Sequence, residues 1–166
     1  SRESGGSGLG LAIAKSIGLN DGKQFAIVFA RQSGKDEVLA QLLAWLLISH
    51  AETGGNAIIA APTMRPQAAI SRDRLVLRLR GLLEGHVTVR DGYIVEVGNA
   101  TARFLSADPD ANVRGQTADL LLVANEAQDI DPRVWDPVFD PMAASTNATT
   151  LFMGTPWTHQ TLLARQ

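Results

Sequence analysis

The hydrophobic pattern of the chain changes period several times, and each change marks an element. "FAIVFA" (25–30) is a continuous apolar run of strand length, the pattern of a strand buried on both faces. From Gly34 to about Glu52, apolar residues fall at 38, 39, 42, 43, 46 and 47, the spacing of one helix face. "TGG" (53–55) stops that helix. "NAIIAAP" (56–62) reads as the next buried strand, ended by Pro62, and a second helical stretch runs from about Arg65 to Leu83. "HVTVRDGYIVEVG" (86–98) alternates with period two around Asp91-Gly92, a pair that accepts the positive φ of a tight hairpin turn. "TARFLSA" (101–107) and "ADLLLVA" (118–124) read as further strands. "PRVWDPVFDPMAAS" (132–145) is a Pro-punctuated helical region, and "TTLFMG" (149–154) a last strand. "TLLARQ" reads as a helix without a stop signal, which points to a piece of something longer.

Alternating β and α signals with continuous apolar strands predict an α/β fold. The expected form is a mainly parallel sheet between two helical layers, with the hairpin as an insertion. Residues 1–24 are small, polar and glycine-rich and read as a flexible lead-in to one domain over 25–166. No internal repeat is visible. At 166 residues and 45% apolar content, the chain can bury one sizeable core. A net charge of −2 offers no global basic field, so any nucleic-acid contact has to be a local patch. The absence of cysteine excludes disulfides and Cys-ligated zinc. The longest apolar runs are too short to span a bilayer, and "SRESGGSG" is no signal peptide. The expectation is a soluble intracellular domain with no membrane partner.

Three stretches carry candidate chemistry. In "FARQSGKDE" a Gly-Lys pair stands between strand and helix, where loop and helix N–H groups point at an anion and Lys35 adds charge for phosphates. The G-x-x-x-x-G-K-[ST] pattern is only partly met, because Phe29 takes the first glycine position and Asp36 the hydroxyl position. The bland reading is a basic turn opening a helix with Asp36 and Glu37 in its first turn. "LLLVANEAQDID" (120–131) is an apolar strand ending in Asn125-Glu126, where many phosphate-loop ATPases have Asp-Glu to hold magnesium and polarise the attacking water. Its bland reading is an acidic solvated loop. Ninety residues separate Lys35 from Asn125, a spacing that suits one sheet. "TTLFMGTPW" (149–157) ends a strand in Gly154-Thr155, where a polar residue could sense the γ-phosphate; alone it is an ordinary turn.

In this order, "ARQSGK", "AAPT", "VRGQTADLLLVANEAQDID" and "PMAASTNATTLFMGTPWTHQTLL" resemble the large terminase subunit of tailed bacteriophages, an ATPase motor that packages DNA. The resemblance runs from about Phe25 to Leu163. Terminase phosphate loops typically read Arg-Gln-x-Gly-Lys without the first glycine, so Phe29 fits. The resemblance implies ATP and Mg2+ as ligands, with Arg31, Gln32, Ser33, Gly34, Lys35 and Asp36 around the phosphates. It implies Glu126 as the catalytic carboxylate, Arg31 and Lys35 as stabilisers of transition-state charge, and Gly154 and Thr155 as the coupling motif. "AAPT" matches a segment close to DNA or nucleotide. It further implies double-stranded DNA, a portal protein, a small terminase subunit and a homo-oligomeric ring as partners, in the cytoplasm of a bacterial host. The nuclease domain such subunits carry downstream is outside this chain.

Two positions depart from the family. Asn125 stands where Asp is usual, which weakens the magnesium site, and Asp36 stands where Ser, Thr or sometimes Asn is usual. One reading is compensation, with Asp36 and Asn125 together serving the metal; the other is a degenerate nucleotide-binding or interaction domain. A helicase-like ATPase is a further alternative. "ESGGSGLGLAIAKSI" (3–17) weakly resembles the ATP-lid box of sensor histidine kinases, though a leader segment explains it as well. Gln24 is a faint candidate for contact with adenine. Arg74 and Arg78 share a helix face and could touch a DNA backbone, or simply be solvated. His50, His86 and His159 have no ligand spacing and read as surface or capping residues. Trp45 reads as core, while Trp135 and Trp157 brace the acidic loop and the Gly-Thr-Pro turn.

Overall fold

A computed structural model describes residues 9–16, 18, 21–113, 115–155 and 161–165. Seven strands form one sheet: β1 (Gln24–Val28), β2 (Gly55–Ala61), β3 (Val87–Arg90), β4 (Ile94–Val97), β5 (Ala100–Ser106), β6 (Leu121–Asn125) and β7 (Thr149–Gly154). Their order across the sheet is β1-β7-β6-β2-β5-β4-β3. The first five in that order pair in parallel, while β4 and β3 continue the sheet antiparallel as the expected hairpin. Asp91 and Gly92 both take positive φ, 53° and 72°, which gives the turn the twist its strands need.

Helix α2 (Lys35–Ser49) and helix α3 (Ala69–Leu82) cover one face of the sheet. All six apolar positions of the predicted stripe, Val38, Leu39, Leu42, Leu43, Leu46 and Leu47, are buried. Each such leucine contributes roughly 1.5–3 kcal/mol relative to exposure. The opposite face is covered by the chain from Ile130 to Ala143, which includes the short helices α4 (Pro132–Val134) and α5 (Asp140–Ala144). There Trp135 stacks on Phe139 with centroids 5.3 Å apart and leans on Phe152 of β7 at the same distance. The result is the expected three-layer α/β arrangement. Trp45 is partly buried against the α2 side of the core, and His50 caps α2, its Nδ1 lying 2.9 Å from the Leu46 carbonyl.

The structure corrects three expectations. The lead-in contains a helix, α1 (Leu9–Ser16), whose Ile13 packs against the core. The chain after it is tied to β7, since Thr149 Oγ1 donates to the Gly18 carbonyl and to Asp21 Oδ1. Glycine content hid the helical spacing of Leu9 and Ile13. Residues 1–8, and with them much of the glycine-rich box, lie outside the described residues. The second correction concerns "FAIVFA". β1 is an edge strand, not a doubly buried one, and Val28 on its outer face is 60% exposed. Residues 163–165 form a single 3-10 turn, where a helix start was expected.

Candidate functional site

Parallel strands place the C-terminal ends of β1, β7 and β6 side by side, and ligands of open α/β sheets bind beyond that edge. The loop after β1 begins with Phe29, whose ring is buried at 6% exposure and whose N–H donates to the Gly154 carbonyl at 2.9 Å. A side chain at the first position of the loop therefore anchors it to the core. The loop then turns through Gln32 (φ 57°) and Gly34 (φ 84°), both in the left-handed region. A Cβ on Gly34 would meet nothing within 4 Å, so backbone conformation rather than space calls for glycine there. Lys35 opens α2, so the helix N-terminus, with the positive end of its dipole, lies at the cleft.

The cleft at this edge has a volume of about 690 Å³, within the range of small-molecule sites. Every loop residue from Arg31 to Asp36 lines it, joined by Glu126 and Thr155. Lys35 reaches across to β6: its Nζ pairs with the Glu126 carboxylate and donates to Asn125 Oδ1 at 3.2 Å. Two segments ninety residues apart in the chain thus share one charge cluster. Glu126 itself has left-handed backbone (φ 56°, ψ 46°), a conformation that costs a non-glycine residue of order 1–3 kcal/mol. Burial pushes its carboxyl up, but hydrogen bonds from Gln128 and Lys35, with the Lys35 charge, outweigh burial and hold it below the ordinary value. It is therefore a carboxylate at neutral pH. Asp129 moves the other way, raised by burial and by the Glu126 charge, against a lowering bond from Gln128.

Asn125 is 2% exposed, and its carboxamide makes three hydrogen bonds. Oδ1 accepts from Lys35 and from the Glu126 N–H at 3.1 Å, and Nδ2 donates to Ser71 Oγ of α3 at 3.0 Å. It orients Lys35 from behind the cleft wall, while Asp36 faces the cleft. Among the described residues no three His, Cys, Asp or Glu side chains cluster to hold a metal alone. Mg2+ does not need such a cluster, because it is usually held by one or two carboxylates plus substrate phosphates and water. Asp36, Glu126 and Asp129 at the cleft supply that donor type.

Gly154 and Thr155 end β7, which runs between β1 and β6, so the third motif stands between the other two. Arg74 lines the cleft from α3, whereas Arg78 pairs with Glu37 of α2. Gln24 begins the exposed side of β1, away from the cleft lining. Arg114, Trp157 and His159 lie outside the described residues. Three residues escaped the sequence reading: Gln67, Gln128 and Asp129 also line the cleft. Gln67 Oε1 accepts from the Thr63 N–H and hydroxyl at 3.2 and 3.0 Å, fixing the chain just after "AAP". Gln128 stands two residues beyond Glu126, on a 3-10 turn that carries it back over the site, and the sequence holds no signal for that turn.

No protein-family model matches the chain, and no curated protein matches it. Solved structures do. The large terminase ATPase domain of Thermus phage P74-26 superposes with a TM-score of 0.72 and 27% identity, covering 90% of this chain and 64% of that one. A single-residue mutant of the same domain gives 0.70 and 26% over the same shares. The large terminase of bacteriophage HK97 superposes at 0.71 with 19% identity, over 99% of this chain and 36% of that one, a likeness of fold alone. The chain thus spans about 64% of the length of the Thermus phage domain. Its structural neighbours are phage large terminase ATPase domains, and its fold is theirs.

Proposed function

From that structural likeness, we propose that the chain is the ATPase domain of a phage or prophage DNA-packaging motor, with 25–166 as the ATPase unit and α1 packed onto it. ATP would bind in the cleft between the Arg31–Asp36 loop and the Glu126 strand end. The observation that carries this reading is the meeting of Lys35 with Glu126 and Asn125 at one sheet edge. A loop with helix N–H groups and a lysine binds phosphates; an ionised carboxylate opposite it orients the attacking water and takes up its proton. Lys35 and Arg31 would stabilise the charge that builds on the γ-phosphate. Phe29 and the Gly154 carbonyl keep the loop fixed against β7 while the phosphates are held.

Asp36 would hold Mg2+ from the loop side of the cleft, and the ion would supply positive charge to neutralise the phosphates. Asn125 serves it through Lys35, by holding that ammonium beside the cleft. Hydrolysis would drive double-stranded DNA into a capsid from a homo-oligomeric ring that docks on a portal protein and works with a small terminase subunit. Arg74, on the rim of the cleft, is the candidate to touch the DNA backbone; Arg78 is engaged by Glu37. A host cytoplasm is the corresponding location. No helix among the described residues is long and apolar enough to cross a membrane.

The Asn125 carboxamide, with Nδ2 committed to Ser71, favours a second reading: a site that still binds nucleotide but has lost turnover. Magnesium-dependent ATP hydrolysis by the full-length protein, measured beside ATP binding, separates the two. The motor reading expects both, and both reduced in Lys35→Ala. Tight binding without turnover, with DNA and portal present, would sink it.

A further inference from the structure

Gln128 is buried to 8% exposure and is aimed at two different parts of the site. Its Nε2 donates to Glu126 Oε2 at 2.6 Å and to Asp129 Oδ2 at 3.1 Å. Its Oε1 accepts from the backbone N–H of Thr155 at 3.1 Å. The direction of the amide is forced. Reversed, it would turn an oxygen toward two carboxylates and an NH₂ toward an N–H donor. Only a carboxamide of this length both donates to Glu126 and accepts from the end of β7. The backbone makes room for it: a Cβ on Gly154 would fall onto Gln128 Oε1, and would also crowd Leu163 Cδ2 at 3.1 Å and the Ala127 N at 3.3 Å.

We propose that Gln128 is a positioning residue that ties the Glu126 carboxylate to the Gly154-Thr155 backbone, so that the carboxylate and the end of β7 move as one unit. The proposal rests on the reading of Glu126 as the carboxylate that orients water. A Glu126 side chain turning toward a reacting phosphate then pulls on Gln128 and through it on Thr155. A displacement of the β7 end, conversely, releases Glu126 from its place. Gly154-Thr155 would thereby be linked to the chemistry through one amide, rather than through the strand alone.

Three variants of the full-length protein, with Gln128→Ala as a second background for the third, test this. Gln128→Met keeps the volume and removes all three hydrogen bonds; it should lower kcat roughly 10–100-fold with KM within about threefold. Gln128→Glu keeps an acceptor for Thr155 but sets a third carboxylate beside Glu126 and Asp129. The acid limb of its rate profile should move up by about one pH unit. Gly154→Ala should slow turnover about tenfold alone and clearly less on top of Gln128→Ala, which removes its closest clash. A readout that does not need turnover is the Thr155 amide. Its hydrogen exchange should quicken about tenfold in Gln128→Met and stay slow in Gln128→Glu. Unchanged Thr155 exchange in Gln128→Met would overturn the link whether or not the protein hydrolyses ATP. Equal kcat and equal pH profiles in all three variants would do the same, given an active parent. An inactive parent with the exchange pattern as expected would sink the ATPase reading and leave the tie itself standing.

Discussion

The two ends of the sheet are built from similar residues to opposite effect. At the end where β2 begins, the Asn56 N–H and Nδ2 both donate to Asp119 Oδ2, at 3.1 and 2.9 Å, and Thr101 Oγ1 donates to Asn56 Oδ1 at 2.6 Å. The Asp119 and Leu120 N–H groups return to the Asn56 carbonyl. The Asn56 side chain and backbone are thus bonded on both sides, and the arrangement holds the crossover into β6 in register. At the other end, Asn125 and Glu126 also pair, but around an open cleft and on left-handed backbone. One end has its polar groups satisfied and closed; the other keeps charged groups and helix N–H groups turned toward space a ligand can fill. Satisfied networks stabilise, and strained, open ones do chemistry.

Mutations should separate the ends. The largest effect expected is from Glu126→Gln, which should cut steady-state phosphate release by about 10²–10⁴-fold while ATP affinity in a binding titration stays within about threefold. Should phosphate release persist, the proton acceptor is elsewhere, with Asp129 the next candidate. Asp119→Ala should behave in the reverse way. It orphans two donors and should cost roughly 2–3 kcal/mol in denaturant unfolding, with turnover per folded molecule unchanged. A comparable loss of turnover would mean the two ends are coupled.

Asp36→Ser and Asn125→Asp sharpen the site end alone. If charge has been exchanged between loop and strand, each single change lowers magnesium-dependent turnover about tenfold and the pair recovers most of it. Gain of activity from Asn125→Asp by itself would mark the site as degenerate. The smallest effect is acid stability. The Glu126 carboxyl is held below its ordinary value of 4.5, so its contribution is present above that value and fades as pH falls through the folded pKa. The melting temperature of Glu126→Gln should therefore sit below the parent at about pH 6 and converge with it toward about pH 3. A constant gap across that range would show that Lys35 and Gln128 do not hold the carboxyl down.

Much of the site was legible because it is local in sequence. Phosphate cradling needs a strand, a turn and a helix start in succession, and "FAIVFARQSGKDE" writes all three in thirteen residues. The carboxylate at the end of β6 is equally local, since a buried apolar run can only place its charge where the run stops. Gln67 and Gln128 were not legible in that way. A glutamine two residues past a strand faces the cleft only if the chain folds back in a 3-10 turn, and nothing in "EAQD" signals the turn. Asn125 was readable as a missing charge, but not as the partner of Ser71 on a helix fifty-four residues earlier.

The sequence alone determined the strands, the hairpin turn at Asp91-Gly92, the helix stripe of α2 and the two halves of the charge cluster, because each depends on periodicity or on neighbouring residues. Only the tertiary structure decided which strand lies at an edge. "FAIVFA" and "ADLLLVA" are equally apolar, yet β1 borders the sheet and β6 sits within it, since strand order follows from crossovers and packing rather than composition. The same order puts β7 between β1 and β6. That single placement sets Thr155 against Gln128, and Gln128 against Glu126, and turns three separate motifs into one site.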